Sequence, residues 1–139
     1  MGKITPEFFN QLIQKELPWA AESAIHAESI TSGKATLCLP FQQRSLRPGG
    51  TIAGPHMMML ADACMYAVLL SSIGEVKLAV TTNLNINFLL KPGHVDLIAH
   101  GKMIKLGKRL AVMEVAINSG AEMVAHATGT YSIPPAGQH

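Results

Sequence analysis

One carboxylate stands where carboxylates are rare. Residues 51–73 read TIAGPHMMMLADACMYAVLLSSI, a run that is apolar on nearly every side when wound as a helix, and Asp62 lies in its midst. Its neighbours three and four positions away are Met58, Met59, Met65 and Tyr66, and the run holds no basic residue to neutralise it. An ionised carboxylate in such a place is costly unless something pairs with it. Either it is a core aspartate held by hydroxyls or amides of a neighbouring strand, or it is an acid kept for chemistry; the second is the working expectation, because perturbed carboxylates cluster at reactive sites. Such an acid can serve as general base or as nucleophile. The start of the same helix presents N–H groups at Gly54, His56 and Met57, at the positive end of the helix dipole, where a developing oxyanion would be stabilised. Asp62 lies roughly 12 Å further along the axis by helix rise. That is too far for both features of one chain to serve one reacting centre.

Other chemistries find no support. There is no Gly-x-Ser-x-Gly elbow and no phosphate-cradling glycine loop ending in Lys-Ser/Thr. The six histidines, His26, His56, His94, His100, His126 and His139, show no metal-ligand spacing, and Cys38 and Cys64 lie too far apart for a redox pair or a metal motif. No metal and no cofactor is expected.

The elements that must position Asp62 can be read along the chain. Thr5-Pro6-Glu7 opens a short helix with Phe8, Phe9, Leu12, Ile13 and Leu17 at helical spacing, and Pro18 is expected to end it. Strands are expected over residues 23–30 and 34–41, joined by Thr31-Ser32-Gly33. A loop over residues 42–53 carries Arg44 and Arg47 into the central helix, which Gly54 can cap, with Pro55 at its first position and Gly74 near its end. Residues 76–90 alternate strictly in their middle, with Thr82, Leu84, Ile86 and Phe88 on one face and Thr81, Asn83, Asn85 and Asn87 on the other. Strands over 96–106 and 109–118 pair around Gly107-Lys108, and a last strand over 122–133 stops at Pro134-Pro135, before a loose tail. A sheet with one apolar face must cover it, and only the central helix is long enough. The expected fold class is α+β, a curved antiparallel sheet wrapped around one long helix in a single domain, 1–139.

Composition narrows the setting. Hydrophobic residues make up 48% and charged residues 14% of the 139, a balance that favours covering apolar surface with a second copy of the chain. A net charge of +2 with few aromatics argues against nucleic acid. No charged leader precedes an apolar N-terminal segment, and the longest apolar run contains Asp62 and His56, so the expectation is a cytoplasmic protein without a membrane span.

The loop and helix GTIAGPHMMMLADACMYA, taken with the later strand NLNINFLLKP, resemble the hotdog-fold thioesterases, and within them the PaaI-like acyl-CoA thioesterases. The resemblance implies a hotdog fold, hydrolysis of an acyl-CoA to free acid and coenzyme A, and a site shared between two subunits of a homodimer that itself pairs as a dimer of dimers. It puts the catalytic carboxylate at Asp62, the N–H that polarises the thioester carbonyl at Gly54 of the other subunit, and a water-orienting hydroxyl at Thr81. Lys105, Lys108 and Arg109 would meet the nucleotide, unless they form an ordinary solvated turn. Arg47 is a second candidate for that role, and His56 and Met57 would line the substrate path. The chain departs from the family at Ala53-Gly54-Pro55, where His-Gly-Gly is common. Two rivals remain: a non-catalytic binder of acyl-CoA or fatty acid, and an enoyl-CoA hydratase of the same fold.

Overall fold

The computed structural model describes residues 2–76 and 78–135. The expected loose tail, residues 136–139, lies outside the described residues, as does Lys77 in the segment after the central helix. Helix α1 (Pro6–Glu16) begins as its sequence dictates: Thr5 caps it by accepting from the Phe8 N–H at 3.0 Å, with Pro6 behind it. Pro18 does not simply end that helix. Leu17 leaves helical geometry and Pro18 opens a second short helix, α2 (Pro18–Glu22), since a proline that cannot continue one helix is well suited to start another. Strand β1 (His26–Thr31) therefore starts three residues later than expected.

β1 and β2 (Lys34–Leu39) form a hairpin, and a 3-10 turn at Gln43–Ser45 sits within the loop that leads to α3 (Gly54–Ile73). Ala53 takes the N-cap position, one residue before the glycine expected there, and Gly74 follows the last turn as expected. The remaining strands are β3 (Val80–Phe88), β4 (Leu97–Leu106), β5 (Leu110–Ser119) and β6 (Glu122–Ser132). All six join one antiparallel sheet in the order β1-β2-β4-β5-β6-β3, with α3 packed against it. This is the α+β arrangement the sequence implies.

α3 has the length and apolarity of a membrane span, yet most of it is buried against the sheet and the N-terminal helices. Leu60, Ala61, Cys64, Met65, Val68 and Leu69 are fully enclosed. So close a seat needs strand positions without side chains. A methyl group added at Gly101 on β4 would lie 2.7 Å from Cys64 Sγ and 2.9 Å from Val68 Cγ2. One added at Gly129 on β6 would lie 2.5 Å from Met65 Sδ and 3.0 Å from the Asn83 carbonyl oxygen. Gly101→Ala is therefore expected to lower stability by about 1–3 kcal/mol through overpacking, read from urea unfolding; an unchanged midpoint would contradict this seating.

Candidate active site

Asp62 emerges from α3 at the sheet end where β3 and β6 lie side by side. Thr81 and Tyr131 are cross-strand neighbours there. The Thr81 hydroxyl donates to Asp62 Oδ1 at 2.8 Å, and the Tyr131 hydroxyl donates to the same oxygen at 2.9 Å, with a 3.2 Å contact to the Asp62 carbonyl. The carboxylate is thus held by strand hydroxyls, and among the described residues no basic side chain forms an ion pair with it. It is also half-buried rather than sealed, on the wall of a cavity of about 270 Å³. Leu12 and Glu16 of α1, Leu17 at the junction and Trp19 of α2 line that cavity together with Tyr66.

Tyr131 was not legible as a site residue. It is buried, and stacks on Tyr66 with ring centroids 6.0 Å apart. Burial first, and then the charge of Asp62, push its phenol well above the ordinary tyrosine range, although the Thr81 hydrogen bond pulls the other way. Its hydroxyl therefore stays protonated and remains a donor to the acid. Only the strand register places it there; β6 alone reads as an alternating strand.

The start of α3 opens on a second cavity, of about 450 Å³, lined by Gly54, Met57, Arg47, Phe88 and Lys91 among others. Phe88 packs on Gly54 closely enough that an added methyl group would lie 3.2 Å from its Cζ. The structure thus brings Gly54, Met57 and Arg47 together, and Asp62 and Thr81 together, in two separate cavities of one chain. One expectation about the helix start fails. The His56 N–H is not free; it donates to the Ala53 carbonyl at 3.1 Å, since the N-cap alanine has no side chain to take up a first-turn donor. The His56 ring lines neither cavity, and its buried Nδ1 has no hydrogen-bond partner among the described residues.

The basic hairpin stands apart from both cavities. Lys105 and Lys108 are exposed, and Arg109 donates from Nε to the Ile133 carbonyl at 3.0 Å. Its strand does run beside the acid's end of the sheet, since Ala111 pairs with Tyr131. The basic residues that line the cavity at the helix start are Arg47 and Lys91, the latter in the NLNINFLLKP segment.

This geometry can be set beside known proteins. The thioesterase superfamily pattern matches residues 49–126. A crystal structure of a candidate thioesterase from Silicibacter superposes with a TM-score of 0.87 at 36% identity, covering 97% of this chain and 95% of that one. A candidate esterase of Saccharolobus solfataricus is 31% identical over 111 residues, 78% of this chain and 73% of its own. A variant of the phenylacetic acid degradation protein PaaI from Thermus thermophilus shares the fold, with a TM-score of 0.77 at 21% identity over 84% of this chain and 99% of that one. With the pattern running from the end of the loop through α3 and β3 to the first part of β6, more than half of the sequence, the chain belongs to the thioesterase superfamily and has its hotdog fold.

Proposed function

We propose that the protein is a PaaI-like acyl-CoA thioesterase, acting in the cytoplasm as a homodimer whose active site takes Asp62 from one subunit and Gly54 from the other. The observation that carries this reading is a carboxylate gripped on one oxygen by two hydroxyls on the wall of a partly apolar cavity. With Oδ1 engaged, Oδ2 is the oxygen that reacts, as general base toward water or as nucleophile. By the base route, Oδ2 takes a proton from water while the water oxygen bonds to the thioester carbon. The carbonyl oxygen becomes an oxyanion, stabilised by the Gly54 N–H at the positive helix end. The C–S bond then breaks, the proton passes to sulfur, and free acid and coenzyme A thiol leave.

The dimer is argued from β3. Among the described residues this nine-residue strand closes the sheet without a partner on its outer side, and Val80 and Phe88 at its ends are more than half and about half exposed, at 57% and 50%. An unpaired edge of that length invites pairing with its own copy about a two-fold axis. Antiparallel pairing centred near Leu84 sets Thr81 of one chain opposite Asn87 of the partner subunit, next to the Phe88 that packs on Gly54. Arg47 and Lys91 then serve the phosphates of coenzyme A at the helix start, and the 270 Å³ cavity serves the acyl group. A dry cavity of about 150 Å³ admits benzene, so this one suits a phenyl-sized or short aliphatic acyl chain. The two free cysteines accord with a reducing compartment.

Asp62→Asn is expected to lower kcat on a panel of acyl-CoAs by about 10²–10⁴-fold. Wild-type protein that binds acyl-CoA without turnover would establish the binder instead, and water addition to an enoyl-CoA would establish the hydratase. Tyr131→Phe should lower kcat more than Thr81→Val, because a buried hydrogen bond is stronger than one open to water; the reverse order would remove Tyr131 from its role. Trp19→Ala should raise kcat/KM for longer acyl chains relative to short ones, and an unchanged ratio would place the acyl group elsewhere.

A further inference from the structure

A second cluster of reactive side chains lies at the opposite edge of the sheet from β3. On β2, Ala35, Leu37 and Leu39 point into the core, so the alternating residues Thr36 and Cys38 point to the outer face. His26 of β1 pairs directly with Cys38, which puts the imidazole and the thiol side by side on that face. Glu28, two residues after His26, shares that face by strand alternation. The register of β1 against β2 slips between Ala27 and Ser29. The Glu28 carboxylate lies beside the imidazole, with Oε2 3.9 Å from Nε2. One reactive atom from each of His26, Glu28 and Cys38 lies within 4.8 Å of the other two.

The imidazole is also oriented. His26 Nδ1 lies 3.1 Å from the Ala24 carbonyl, which can only accept, so Nδ1 carries the hydrogen and Nε2 of the neutral ring presents its lone pair to the cluster. Metal-binding histidines are held by this kind of bond from the second ring nitrogen to a carbonyl. The carbonyl belongs to Ala24, the one non-glycine residue with positive φ (61°) among the described residues. A backbone conformation that disfavours a side chain thus sits where it aims the imidazole.

We propose that His26 Nε2, the Glu28 carboxylate and Cys38 Sγ form a binding site for a divalent cation of the zinc type, with water as the fourth ligand. Nitrogen, oxygen and sulfur from three residues are a donor set that zinc accepts and that magnesium or calcium does not. Tetrahedral zinc bonds of about 2.0–2.3 Å require ligand atoms roughly 3.5 Å apart, so the three must draw together by about 1 Å or less to close on an ion. A bound cation would take the sulfur as thiolate, with the thiol proton passing to solvent. The thioesterase reading uses none of these residues. Such an ion would clip β1 to β2 at a sheet edge.

Titration of the full-length protein with Co²⁺, a zinc surrogate that absorbs light, tests this. Wild type should bind one equivalent with a thiolate-to-cobalt band in the near ultraviolet and strong tetrahedral visible bands, both displaced by Zn²⁺. Cys38→Ser should lose the near-ultraviolet band, whereas Cys64→Ser, on the core face, should keep it. His26→Ala and Glu28→Gln, at exposed positions that the fold tolerates, should weaken Co²⁺ binding by about tenfold or more. The Tm should rise with Zn²⁺ in wild type and not in His26→Ala. No thiolate band in wild type, a band that survives Cys38→Ser, or equal affinity in His26→Ala would each overturn the assignment.

Discussion

Helix α3 has no polar side to turn toward water, so it cannot rest on the sheet as an amphipathic helix would; it has to be enclosed. Sheet curvature and the N-terminal helices enclose it, and the glycines at 101 and 129 let the backbone come close enough to leave no gap. That tight seat has a consequence for the one charged residue of the helix. With Met65 and Cys64 fixed against the strands beside it, Asp62 has one direction in which to leave the core, between β3 and β6. The two hydroxyls that meet it there are therefore part of the same packing solution as the apolar residues around it.

α1 and α2 add a wall to that exit. Phe9 packs on Tyr66, with centroids 6.1 Å apart, and Tyr66 stacks in turn on Tyr131. A chain of aromatic contact thus runs from the N-terminal helix to the donor that holds the acid. Leu12, Leu17 and Trp19 give the adjacent space apolar walls, with Glu16 beside them. The helix start opens on a second cavity in which Arg47 and Lys91 stand among Ile52, Met57, Phe88, Leu89 and Leu90. One chain thus carries an acid-bearing cavity and, further back along the helix, a separate cavity with two basic residues.

How much of this was visible in sequence depends on the range of the interactions involved. α3 was plain, since its proline, its glycine and its unbroken apolar run are local signals, and Asp62 stood out by contrast with its neighbours. Gly54 and Thr81 came with the loop and strand that flank it. Tyr131 did not, because its meeting with Asp62 depends on how β6 lies against β3, a register that no residue of β6 announces. The His26, Glu28 and Cys38 cluster is hidden for a related reason: metal motifs are marked by spacing along the chain, whereas this one depends on the cross-strand pairing of His26 with Cys38. α2 is not legible because Pro18 reads as an end rather than a beginning. The lysines of the β4–β5 hairpin drew notice because they are close in sequence; Arg47 and Lys91 share a cavity although 44 positions separate them.

The central claim is that two halves from different subunits make one site, and subunit mixing tests it most directly. Asp62→Asn lacks the acid, and Gly54→Val would drive a side chain into Phe88 at the helix start, so each homodimer should be inactive. Co-refolding the two variants should form heterodimers in which one site has both intact halves, and activity should return to about a quarter of the wild-type level. If the mixture stays as inactive as its parents while exchange is complete, the acid and the helix start do not act across the subunit boundary.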